Sequence, residues 1–323
     1  MKKFIVVAFQ LIGIACAAQT RMNVYFLKND GHYVSNRDSA DFIRIVSEPD
    51  SGSKLYNVSE YYQNNKRKSI GKSSKIDPPY YEGSRVQFYN SGKKKSVSNY
   101  KDGTLVDDEI KFYPNGKPYL VINHTSVSPT EDSFDENYPI IANYDSSGVA
   151  LVTDGNGTYR IYDNQFKYVE ETGVVKNGKK QGLVTGSDNK GKWHFQEQYD
   201  NGELINGTMT DDTGFVTHYV KSRNSMPHYK GDLKAFYQYL GNKINYPDAE
   251  KNSLVQGIVV IGFVVEKNGK LSELKVLHPV SPGIDAEALR VMKNSPLWIP
   301  GTRFGRVVRV QYQIPINFSL TEN

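Results

Sequence analysis

The groups with which this sequence could do chemistry are six histidines, one cysteine and scattered acids, and their spacing argues against catalysis. His32, His124, His194, His218, His228 and His278 never show the spacing that presents two imidazoles from one element to a metal. No metal site and no cofactor is therefore expected. No nucleophile elbow, phosphate loop or zinc-protease motif occurs, and Asp211 and Asp212 beside turn residues read as solvated acids. The protein is expected not to be an enzyme. Two features suit binding instead. Arg303, Arg306 and Arg309 form a compact basic cluster, read either as a solvated loop and strand edge or as a patch for an acidic peptide, glycan or lipid headgroup. After it, Val308, Val310, Tyr312, Ile314, Ile316 and Phe318 alternate with Arg309, Gln311, Gln313, Pro315 and Asn317, the pattern of a strand with one buried face. Pro315 has no N–H to donate, which assigns that strand to a sheet edge or a bulge. Such a proline can simply guard an edge against aggregation, or it can mark an edge open to a partner.

The elements that would position these residues fall into two kinds. In the middle of the chain Phe88-Tyr89-Asn90-Ser91-Gly92-Lys93 recurs 24 residues later as Phe112-Tyr113-Pro114-Asn115-Gly116-Lys117. Tyr61 to Lys66 reads as an earlier copy, with Asn65 in the glycine place; asparagine best replaces glycine at positive φ. Asp102-Gly103, Asn177-Gly178 and Asn201-Gly202 repeat the turn signal between short aromatic and β-branched runs, which specifies tight hairpins. One hairpin is too small to stand alone, so neighbours must stack into a continuing sheet, and the flanking tyrosines are expected to pack across strands with wet hydroxyls.

From residue 226 the pattern changes. Leu233, Phe236, Tyr237 and Leu240 have helical spacing and Gly241 suits a helix end. Val255 to Glu266 reads as a strand, Asn268-Gly269 as a two-residue hairpin turn, and Leu271 to Leu277 as the returning strand. A second helix is expected from Asp285, with Ala288, Leu289 and Met292 on one face. Trp298 is expected in the core between that helix and the last strand.

These words in this order resemble the C-terminal domain of TonB in its Bacteroidetes-type form: Asn245-Tyr246-Pro247, Gln256-Gly257, Phe263 through Lys270, Ile284 through Leu289, Pro296 through Gly301, and Val307 through Phe318. The middle region, about Tyr56 to Gly214, is similar to MORN or YwqK-like repeats. The expected fold class is α+β, with an all-β meander of stacked hairpins over 19–225 and a small antiparallel sheet with two helices over 226–323. The TonB resemblance implies that the last strand pairs with an extended peptide of an outer-membrane TonB-dependent transporter or another envelope protein. It places partner binding at Tyr246, Pro247, Val307, Arg309, Gln311, Gln313, Pro315 and Asn317. The repeat resemblance implies no activity. A second reading is a cell-wall-associated scaffold in which the repeats bind and the terminal domain self-associates.

Export follows from the start of the chain. Lys2 and Lys3, the apolar run Phe4 to Ala15, and the small residues before Gln19 have the order of a secretory signal peptide over 1–18, shorter than the about 20 residues of a membrane span. A retained leader would restore an energy-transducer reading. Cys16, the only cysteine, is either removed with the leader or is the lipidated first residue of a lipoprotein. The expected location is periplasmic or outer-membrane-associated. A net charge of +5 without a concentrated basic face does not suit nucleic acid, and 38% hydrophobic residues are too few for a membrane bundle.

Overall fold

The computed structural model describes residues 21–124, 138–188 and 191–320; the expected leader and Cys16 lie outside them. The chain divides into two compact units between Pro118 and Tyr119. Among the described residues no helix is long and apolar enough to cross a membrane.

The first unit is an antiparallel meander in which each strand pairs with the one before it: β1 (Met22–Leu27), β2 (Phe42–Ser47), β3 (Tyr56–Tyr62), β4 (Arg67–Ser73), β5 (Tyr81–Phe88), β6 (Lys94–Lys101) and β7 (Thr104–Phe112). The repeat seen in the sequence is a repeat of turn geometry. The N–H groups of Tyr62, Tyr89 and Tyr113 donate to the carbonyls of Lys66, Lys93 and Lys117, and those of Asn65, Gly92 and Gly116 fold back onto the same tyrosines. Asn65 stands at φ 63°, the left-handed conformation expected of it in the glycine place. The tyrosine hydroxyls are not left to water. Tyr62 Oη donates to the Phe88 carbonyl at 2.7 Å and Tyr89 Oη to the Phe112 carbonyl at 2.6 Å, so each copy is stitched to the main chain of the next.

The second unit opens on a meander of the same kind: β8 (Pro118–Asn123), β9 (Ile140–Tyr144), β10 (Ala150–Thr153), β11 (Asn156–Tyr162), β12 (Val169–Lys176), β13 (Lys179–Asp188), β14 (Trp193–Asp200), β15 (Glu203–Thr210) and β16 (Val216–Val220). Asn177-Gly178 and Asn201-Gly202 both hold two successive positive φ angles, the turn whose twist matches paired strands. The chain then runs through β17 (Asn224–Ser225), α1 (Asp232–Lys243), α2 (Asp248–Asn252), β18 (Gly257–Val265), β19 (Leu271–His278), α3 (Pro282–Lys293), β20 (Thr302–Arg303), β21 (Arg306–Val307) and β22 (Val310–Phe318). The change of pattern expected at 225–226 thus falls within this unit. A three-stranded sheet in the order β19-β18-β22 buries Val259, Ile261, Phe263, Ile314 and Ile316 against Phe236 and Leu240 of α1 and Ile284, Ala288 and Met292 of α3.

Several local expectations are corrected. α1 continues through Gly241 to Lys243, because the burial of Phe236 and Leu240 on one face outweighs the roughly 1 kcal/mol that a helical glycine costs. A third helix, α2, starts directly after Pro247; its five residues are too few to show a period. α3 begins at Pro282, three residues before Asp285, with Ser281 Oγ accepting from the Ile284 N–H at 3.3 Å as its cap. At Asn268-Gly269 only Gly269 has positive φ, 80°, and Glu266 N–H donates to the Lys270 carbonyl at 2.9 Å. The connection is therefore a three-residue loop with a glycine bulge, not a two-residue turn. A side chain at Gly269 would meet the Trp298 carbonyl at 2.2 Å, so the residue also makes room for the segment that follows α3.

Candidate functional site

The last strand is an edge, and its free side can be worked out from the ladder. The Glu266 N–H donates to the Lys270 carbonyl, so Glu266 points to β19 and its neighbour Val265 points to β22. Val265 faces Val310, and the pairing then runs without a shift to Gly257 opposite Phe318. All even positions of β22 consequently spend their backbone groups on β18. The odd positions Gln311, Gln313, Pro315 and Asn317 turn theirs outward, where no strand pairs with them among the described residues. Pro315 stands at one of the outward positions, the only kind at which a proline removes no ladder bond. Its place on an edge, expected from the sequence, is observed. The side chains obey the same alternation: Ile314, Ile316 and Phe318 are buried while Gln311, Gln313, Pro315 and Asn317 are exposed.

Along this free edge lies a groove of about 730 Å³ between Tyr312 to Pro315 on one side and Ser225 to Tyr237 on the other, with Trp298 in its lining. Trp298 is core as expected, but its contacts are with Tyr229, Phe236, Phe263 and Tyr312, so it stands under α1. Its indole N–H donates to Ser295 Oγ at 3.0 Å.

The other sequence candidates are dispersed. Val307 belongs to β21, paired with Thr302, and not to the edge strand. Tyr246 packs on Phe318 at 5.8 Å and donates its hydroxyl to the Val255 carbonyl; neither it nor Pro247, which precedes α2, lines the groove. The three arginines do not make one cationic patch. Arg306 pairs with Asp211 at 3.0 Å, Arg303 lies over the Trp193 ring at 5.2 Å, and Arg309 binds Glu266 at 2.9 Å and also Glu273. Asp211 in turn is buried rather than solvated. The Thr213 hydroxyl, the Thr213 and Phe215 N–H groups and Arg306 all hold its carboxyl below the usual range.

Both units also hold buried charges that the sequence pattern does not single out. In the first unit Glu60 is 2% exposed and meets Arg44 at 3.0 Å, Ser69 at 2.8 Å and Arg85 at 3.3 Å. In the second, Arg223 links Glu171 at 2.6 Å to Glu197, and Lys180 adds a bond to Glu171 at 2.7 Å. Tyr159 and Tyr219 donate their hydroxyls to these carboxylates, both at 2.7 Å. Burial raises the pKa of Glu171, but Lys180 and Arg223 outweigh it and hold the carboxyl at about 2. A legible signal existed: Phe195, Glu197 and Tyr199 share one parity of β14, so a carboxylate stands in phase with the apolar set. Arg223 also carries the join to the C-terminal elements. Its carbonyl accepts from the Phe304 N–H, and the Phe304 ring, at the tip of the β20–β21 hairpin, packs on Phe195 and Tyr219 at 5.4 and 5.7 Å. Thr217 of β16 donates to the Phe304 carbonyl at 2.7 Å. These groups are partnered and enclosed, the arrangement of a structural join. Among the described residues no group of three potential ligands could hold a metal.

Residues 242–320 match the family of the Gram-negative bacterial TonB protein C-terminal domain. Protein TonB of Haemophilus ducreyi (strain 35000HP / ATCC 700724) is 30% identical over 122 residues, which cover 36% of this chain and 42% of that protein. The chain thus spans less than half the length of the relative it matches. The family match takes in β18 to β22, α2 and α3 and begins at the end of α1; the meanders lie outside it.

Proposed function

We propose that this is a non-enzymatic binding protein of the bacterial envelope whose C-terminal domain takes an extended segment of another envelope protein as a fourth strand on β22. The observation that carries this reading is the outward N–H groups of Gln311, Gln313 and Asn317, with Pro315 among them and no strand beyond them among the described residues. Each backbone bond made there contributes about 0.5 to 1.5 kcal/mol net, against an association cost of several kcal/mol. The backbone alone therefore gives weak binding, and side-chain pockets must supply the rest. The match to the TonB C-terminal family supports an outer-membrane TonB-dependent transporter as the partner. The meanders, in this reading, hold the domain and display a surface of their own.

The test uses peptides from the periplasmic segments of outer-membrane transporters, titrated against the wild type and the Gln311→Pro and Gln313→Pro variants. Neither variant removes an internal ladder bond, so both should fold, and both should lose binding. Unchanged binding by folded variants would exclude strand addition at this edge.

A further inference from the structure

We infer that the groove beside β22 is a selective slot, and that its occupant is an extended segment carrying large apolar side chains two residues apart and no carboxylate where it passes Asp232. The inference rests on strand addition at β22 and specifies which strand is admitted. A fourth strand runs about 4.8 Å from β22 and turns alternate side chains to the face on which Ile314 and Ile316 lie. That is the face covered by α1, where the groove lies. Its outer wall is formed by Leu233 and Tyr237, one helical turn apart. They remain 52% and 46% exposed, while Phe236 between them is fully buried in the core. Two large apolar side chains are thus left uncovered on the one side of α1 that looks along the free edge.

The stretch of β22 that lines the groove, Tyr312 to Pro315, spans about 13 Å at the usual rise of a strand. That length admits two side chains of the incoming segment on the α1 face. The walls they meet are Leu233, Tyr237, Trp298 and Tyr312, which favour aliphatic or aromatic groups over charged ones. Asp232 is the only carboxylate among the lining residues. It tolerates a nearby lysine or arginine and repels a carboxylate. Leu233 and Tyr237 also precede residue 242, where the family match begins, so the selecting wall is built from a part of the chain outside that match.

Three labelled synthetic peptides of twelve residues provide the probe, measured by fluorescence anisotropy with the full protein. The first carries leucines two apart among threonines and lysines. The second has the same composition with leucines three apart, and the third replaces the lysines of the first by glutamates. The first peptide should bind at least about tenfold more tightly than either other one. Leu233→Ala and Tyr237→Ala should each weaken it by about tenfold while leaving the second peptide unaffected, and Asp232→Asn should narrow the gap to the glutamate peptide. Gln313→Pro should abolish binding of all three. Loss on Gln313→Pro with no effect of Leu233→Ala, Tyr237→Ala or leucine spacing would overturn the slot and leave strand addition standing. Binding that survives Gln313→Pro would overturn both. A protein that binds none of the peptides but dimerises through Leu233 and Tyr237 would assign the groove to a second copy and overturn the slot.

Discussion

Replacing Arg223 by alanine isolates the buried ion network from every other feature of the second unit. In the wild type Glu197 is 1% exposed and takes two bonds from Arg223, one of them from Nε at 2.6 Å. Without the arginine Glu197 keeps two tyrosine hydroxyls, Tyr219 at 2.7 Å and Tyr199 at 3.2 Å, and no cation. Glu171 retains Lys180 at 2.7 Å, so the damage concentrates on Glu197. Stranding a buried charge in this way costs about 3 to 5 kcal/mol. Both tryptophans, Trp193 and Trp298, lie in the second unit, and fluorescence-detected urea unfolding therefore reports on it alone. Arg223→Lys should recover part of the loss, since it restores the charge without the two-pronged geometry. A deficit below about 1 kcal/mol would refute the role given to this network.

Two further outcomes follow from the same join. Glu171 has its pKa held down from 4.5 to about 2 in the folded protein. Its contribution of about 3 kcal/mol is thus fully present above pH 4.5 and is lost as the pH falls from there toward 2; acid titration of the wild type should show this loss and Glu171→Gln should not. Phe304→Ala empties a site enclosed by Trp193, Phe195 and Tyr219 and should cost about 3 to 5 kcal/mol, with the emission of Trp193 shifting and that of Trp298, in the separate C-terminal core, remaining.

What could be read in the sequence was local. A turn is decided by two or three adjacent residues, so Asn65, Asn177-Gly178 and Asn201-Gly202 announced their conformations, and the strict alternation from Val310 to Phe318 announced the edge strand. The buried charges were decided by partners far apart in the chain: Arg223 stands 26 residues from Glu197 and 52 from Glu171. The same distance hid the fate of the basic cluster, because the acid that takes Arg306 is Asp211, 95 residues away. The β20–β21 hairpin escaped notice because two-residue strands carry no period. The groove was half visible. Leu233 and Tyr237 belonged to a helical pattern, but the pattern of types does not say which of its apolar residues the core leaves uncovered.

The central claim is that the outward side of β22 is open and takes a strand, and amide hydrogen exchange followed residue by residue by NMR tests it most directly. In the free protein the N–H groups of Gln311, Gln313 and Asn317 should exchange rapidly while those of Tyr312, Ile314 and Ile316, bonded to β18, are protected. On adding a transporter peptide the three outward amides should become protected and the inward ones should change little. Outward amides already protected in the free protein, or still exchanging rapidly when the peptide is bound, would contradict the account.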